Sequence, residues 1–104
     1  MADPMKIRAK AEPSGVVDVK VLFNHEMETG QRKDAAGKII PAHFIQNVTA
    51  TYQGRTVLSA QWGPAVSKNP FLNFKFKGGA KGEKVQITWL DNKGDTRTDE
   101  ATIG

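Results

Sequence analysis

The chain has 104 residues, with 15 lysines and arginines against 11 acids, a formal net charge of +4, two histidines and no cysteine. Without cysteine it forms no disulfide, builds no thiolate metal site and uses no thiol nucleophile of its own. The length suits one domain over residues 1–104 with an adequate core, and no segment approaches the roughly 18 apolar residues of a membrane span.

Residues 1–10 alternate charged and small side chains and contain no apolar run of signal-peptide length. The chain is therefore expected to carry no export signal of its own, and on that ground alone it reads as cytoplasmic. Met5, Ile7 and Ala9 fall on one face and Lys6, Arg8 and Lys10 on the other, the period of a strand with one wet side. Pro13, Ser14 and Gly15 make a turn into a second strand whose inner face is Val17, Val19, Val21 and Phe23. Leu22 makes the outer face of that strand less polar.

Residues 24–41 then run on without periodicity, and connections of that length in a compact domain are uncommon and usually functional or disordered. A third strand over residues 43–52 is expected to point Phe44, Val48, Ala50 and Tyr52 inward and Ile45, Asn47, Thr49 and Thr51 outward. Gln53-Gly54 closes a tight hairpin into residues 55–62, where Leu58, Ala60 and Trp62 share a face. Pro64 and Pro70 bound an irregular connection, because proline lacks the N–H a ladder needs and pushes its predecessor out of the helical region.

Leu72, Phe74 and Phe76 alternate with Asn73, Lys75 and Lys77 in a fifth strand, and a glycine-rich turn over residues 78–82 follows. Val85, Ile87 and Trp89 form the inner face of a sixth, Asp91-Asn92-Lys93-Gly94 a hairpin turn, and residues 95–103 the last strand. Strands at this spacing predict an all-β, immunoglobulin-like sandwich of about seven strands. The cysteine pair and tyrosine corner of true immunoglobulin domains are missing, so the architecture alone is implied.

The stretch 23–44 holds both histidines and one of the three methionines, Met27. His25, Met27 and His43 offer imidazole and thioether donors that suit copper, so a stand-alone copper-binding sandwich is the alternative reading; the plain one is a loop histidine, an exposed methionine and a histidine that starts a strand. Glu26 and Glu28 beside His25 lack a nucleophile pattern around Ser59 or Ser67, and no catalytic residue is expected. Asn47-Val48-Thr49 matches a glycosylation acceptor in mid-strand and is read as chance.

Lys68, Lys75, Lys77, Lys81 and Lys84 make a basic stretch against Glu83, but without aromatic platforms or clustered arginine it reads as a solvated strand edge and not as a nucleic-acid site. Leu22, Ile45 and Leu90 are apolar at outward positions, and a contiguous patch of such residues marks a partner interface.

The run His25-Glu26-Met27-Glu28-Thr29-Gly30-Gln31-Arg32-Lys33-Asp34, then Gly37 and Ile40-Pro41, together with Pro64-Ala65-Val66-Ser67-Lys68-Asn69-Pro70-Phe71 and Ile87-Thr88-Trp89, resembles the SoxZ family. These are Z subunits of the bacterial Sox thiosulfate-oxidation carrier, and the resemblance covers nearly the whole chain. It implies a non-catalytic subunit, without a cofactor, in a periplasmic heterodimer. The implied partner is a SoxY-type subunit whose flexible glycine-rich arm carries sulfur intermediates on one cysteine. Export would use the partner's signal, against the cytoplasmic reading. Other Sox enzymes would touch the complex transiently, and the isolated chain would have a surface for homodimer formation. Leu22, His25, Met27, Glu28, Gln31, Arg32, Ile45 and Leu90 are the expected partner contacts.

Overall fold

The computed structural model describes residues 4–63 and 65–104. Residues 1–3, the start of the segment read for an export signal, and Pro64, the first proline of the irregular connection, lie outside the described residues. Seven strands follow one another, β1 (Lys6–Ala11), β2 (Val16–Leu22), β3 (Ile45–Tyr52), β4 (Arg55–Gln61), β5 (Phe71–Lys77), β6 (Lys84–Asp91) and β7 (Thr96–Thr102). They pair antiparallel throughout, in a three-stranded sheet of order β1-β2-β5 and a four-stranded sheet of order β4-β3-β6-β7. The expected all-β sandwich is what forms.

Alternation decides the inner faces. Val17, Val19 and Val21 of β2 are fully buried against Val48 and Ala50 of β3 and Val85 and Ile87 of β6. Each β-branched side chain suits the pleated surface, and burying one contributes about 1.5–3 kcal/mol. The β3–β4 hairpin turns through Gln53 and Gly54 with φ of 49° and 75°, the left-handed pair whose twist matches its strands. At the far edge, Ala9 bridges Ile103 in parallel and Gly104 exchanges backbone hydrogen bonds with Ala9 and Ala11, which ties β1 to the end of β7.

One expectation fails. Ile45, expected outward, is completely buried, while Phe44, expected inward, is half-buried. The pairing of β3 with β6 shifts register between Ile45 and Asn47, and such a bulge inserts one residue and reverses the facing of everything before it. The stretch 24–41 forms no strand, as its missing periodicity implied, but it is tied by isolated bridges. Glu28 bridges His43 and Lys33 bridges Ile39, so it doubles back as an irregular hairpin arm, with residues 31–39 all exposed.

Gly79 marks the closest approach in the core wall. A Cβ there would lie 2.4 Å from Cγ2 of Val17 and 3.0 Å from the ring of Phe76, both packed side chains. Gly79→Ala is expected to lower the unfolding free energy by about 1–3 kcal/mol, measured by urea denaturation, as overpacking does.

Candidate functional site

The arm leaves and rejoins the sandwich at one end, and three connections meet there. Where β2 stops, Phe23 N–H donates to the Pro70 carbonyl at 2.8 Å. His25 N–H then donates to Asn69 Oδ1 at 3.1 Å, and Asn69 N–H donates back to the His25 carbonyl at 3.0 Å. Asn69 does this with φ of 50°, a left-handed conformation that asparagine tolerates better than most residues. The backbone of His25 is thereby fixed before its side chain makes any contact.

That side chain turns inward, with 6% of the residue exposed, and stacks edge-on against Trp89 at 5.1 Å and His43 at 4.5 Å between ring centroids. His25 Nε2 lies 3.1 Å and His43 Nε2 2.7 Å from one oxygen, Oδ2 of Asp91. The other oxygen, Oδ1, accepts the N–H groups of Lys93 at 3.0 Å and Asp95 at 2.9 Å. Asp91, the last residue of β6, is buried and receives four donors from three parts of the chain. Burial alone would raise its pKa, but the hydrogen bonds from His25, His43 and the Asp95 and Lys93 amides outweigh that and hold it below the usual value.

The cluster has the composition of a metal site, since one donor atom from each of His25, His43 and Asp91 lies within 4.8 Å of the others. Its hydrogen bonds argue for a different role. Nδ1 of His25 accepts the Met27 N–H at 3.0 Å, so in the neutral ring the proton sits on Nε2, where it is donated to Asp91. A histidine that binds metal through Nε2 does the reverse, donating from Nδ1 to an acceptor. The sulfur of Met27 is also occupied, accepting the Ile45 N–H at 3.4 Å. A copper ion on His25, Met27 and His43 would have to displace one of the two bonds at the His25 ring and the bond at the Met27 sulfur. Copper or zinc is accordingly expected to leave the thermal unfolding midpoint of the chain unchanged, and a metal-dependent rise would show that the network opens to receive an ion.

Beyond this node the arm is held by its own polar contacts. Glu28 and His43 exchange backbone hydrogen bonds of 2.6 and 3.0 Å, and the Arg32 guanidinium grips the Glu28 carboxylate at 2.6 and 3.2 Å. That hydrogen bond is the main cause holding the Glu28 carboxyl below its usual pKa. Gly30, with φ of +87°, lies so close to Ala42 that a Cβ would meet it at 3.1 Å. At the tip, Oδ1 of Asp34 accepts the Ala36 and Lys38 amides.

Of the expected partner contacts, Gln31 and Arg32 are exposed on the arm and Glu28 is half-buried at its base. His25, Met27 and Ile45 are 6%, 5% and 0% exposed, so their side chains are interior. Leu22 and Leu90 are each 41% exposed, but they lie on the outer faces of opposite sheets and form no common patch. The sequence presents Asp91, Asn69 and Trp89 as turn, signature and core residues, not as parts of a site. An aspartate opening an Asn-Lys-Gly turn does announce its bonds to the turn amides; nothing local announces two histidines converging on it.

The fold and this node define an immunoglobulin-like β-sandwich whose loops at one end are locked together by a buried histidine–aspartate–histidine cluster. The chain belongs to the SoxZ family: the family model described as "Sulphur oxidation protein SoxZ" matches residues 5–102. Among solved structures it is similar to a superoxide reductase (neelaredoxin) variant from Archaeoglobus fulgidus in the reduced form, with TM-score 0.62, 21% identity, 100% of this chain covered and 91% of that one. A superoxide reductase in the oxidised state aligns with TM-score 0.59 and 18% identity, over 96% of this chain and 86% of that one. At such identities the likeness is one of fold. Comparison with curated protein sequences gives no match.

Proposed function

We propose that this chain is the non-catalytic half of a periplasmic, heterodimeric sulfur carrier in thiosulfate oxidation. The partner is a SoxY-type subunit that binds sulfur intermediates covalently on one cysteine and presents them in turn to the other Sox enzymes. The observation that carries the reading is the SoxZ match across residues 5–102 of a chain without cysteine. A companion thiolate beside a persulfide or thiosulfonate would attack it by exchange, so a scaffold lacking thiols protects the cargo. Export together with the partner accounts for a periplasmic role.

Within this reading the exposed arm is the contact element, with Gln31 and Arg32 facing the partner or its visitors, while His25, Met27 and Ile45 hold the arm in place from inside. The guanidinium of Arg32 suits a partner carboxylate or the anionic adduct. The test is to tag the chain in its host grown on thiosulfate, isolate what co-purifies from the periplasm and take intact masses. A 1:1 companion with one cysteine, part of it heavier by sulfur-containing adducts, is the expected result; the chain alone, or only in the cytoplasm, would overturn the reading. Arg32→Ala is expected to weaken co-purification or thiosulfate-dependent turnover while leaving the unfolding midpoint in place, and unchanged values of both would make the arm purely structural.

A further inference from the structure

The outer face of the three-stranded sheet has a charge pattern that its three separate sequence segments conceal. In register across β1, β2 and β5 stand the rows Lys6–Leu22–Phe71, Arg8–Lys20–Asn73 and Lys10–Asp18–Lys75, with Lys77 beyond. Six cations therefore share this face with Asp18, which already accepts a 2.6 Å hydrogen bond from Asn73, and with Glu12 at its edge. Lys75 lies 3.4 Å from Glu12; among the described residues no carboxylate pairs with Lys6, Arg8, Lys10, Lys20 or Lys77.

Arg8 sits directly opposite Lys20, and like charges in that position destabilise a strand pair. The fold gains nothing from that placement. The outer face of the other sheet carries mainly hydroxyl and amide groups such as Thr49, Thr88 and Thr98, so the bias belongs to one side of the molecule. One end of the basic face is apolar: Phe71, 62% exposed, is paired with Leu22, 41% exposed, at the same end of the sandwich as the arm.

We infer that this face is a docking surface for the acidic face of another protein, with Leu22 and Phe71 as its apolar anchor. A three-stranded face of seven-residue strands measures only about 23 by 14 Å, or about 300 Å². That is well under the ~800 Å² per partner of a stable complex. The contact is therefore a brief, electrostatically steered encounter, distinct from a permanent subunit interface. Nucleic acid is the less suitable occupant, because the face is flat and one phenylalanine at its end makes no stacking platform.

The test uses the full chain and a glutamate-rich peptide with a central leucine, followed by fluorescence anisotropy over a salt series and by amide chemical-shift mapping. Shifts are expected on β1, β2 and β5, with binding lost as salt rises. Arg8→Glu with Lys20→Glu should weaken binding by roughly tenfold or more, whereas Lys33→Glu with Lys93→Glu, the same change in net charge, should stay within about twofold. Phe71→Ser should weaken binding without altering its salt dependence. The double variant retains a like-charge pair across β1 and β2, so an unchanged unfolding midpoint certifies its fold. Equal losses in both charge variants, no binding at low salt, or tighter binding of a single-stranded oligonucleotide of equal charge would each overturn the inference.

Discussion

Asp91→Ala is expected to destabilise the fold by about 3–5 kcal/mol in urea denaturation, a large share of the stability of a domain this size. The carboxylate is buried and receives His25, His43 and the amides of Lys93 and Asp95, so its removal strands donors at both ends of the arm and in the β6–β7 turn at once. Each stranded donor costs about 1–3 kcal/mol where water cannot reach it. His43 and the two amides lie nearer the surface and recover part of this; His25, at 3% side-chain exposure, does not. Asp91→Asn keeps the size but turns an amide N–H₂ toward the imidazole donors, and about 2–3 kcal/mol is expected.

The sign of the pH effect follows from the same geometry. The folded pKa of Asp91 is depressed, so its contribution is fully present above the unfolded value of about 3.9 and is lost as pH falls through the lower folded value. Stability of the unmodified chain should therefore decline below about pH 4, and Asp91→Asn should lack that part of the decline. Amide exchange separates a local from a global role. In the Asp91 variants the arm amides of residues 28–43 should lose protection before those of β2 and β6, because the node ties the arm's two ends to the sandwich.

Ile45→Ala is expected to cost about 2–5 kcal/mol, the range for truncating a buried isoleucine. The alternation of β3 had assigned this side chain to the outer face, where the same change would fall within about 0.5 kcal/mol of neutral. The two outcomes do not overlap, so one denaturation curve decides the facing of Ile45. Its consequence reaches the site, because the Ile45 N–H is the donor that holds the sulfur of Met27 at 3.4 Å. Collapse of the surrounding core around the truncation would shift that donor and loosen the base of the arm.

The elements themselves were legible. Val17, Val19, Val21 and Phe23, and Val85, Ile87 and Trp89, announce their strands by strict alternation, and the structure buries all seven residues. Gln53-Gly54 likewise announces its hairpin, because left-handed backbone is needed at that one place. Alternation failed at Ile45, since a bulge depends on how β3 meets β6, and no window along β3 contains β6. The stretch 24–41 showed no period for a related reason: each of its bridges is a single pair, which leaves no alternating run to read.

By itself, then, the sequence determined the sandwich, the absence of thiol chemistry and, through the signature around residues 25–34, the family. Those properties are written in residue type and short spacing. Only the tertiary structure decided that His25 and His43 serve a buried aspartate 66 and 48 positions away, and that six cations from β1, β2 and β5 share one face. Both depend on which strand lies beside which, a choice made by burial of the whole core and therefore invisible to any segment read alone.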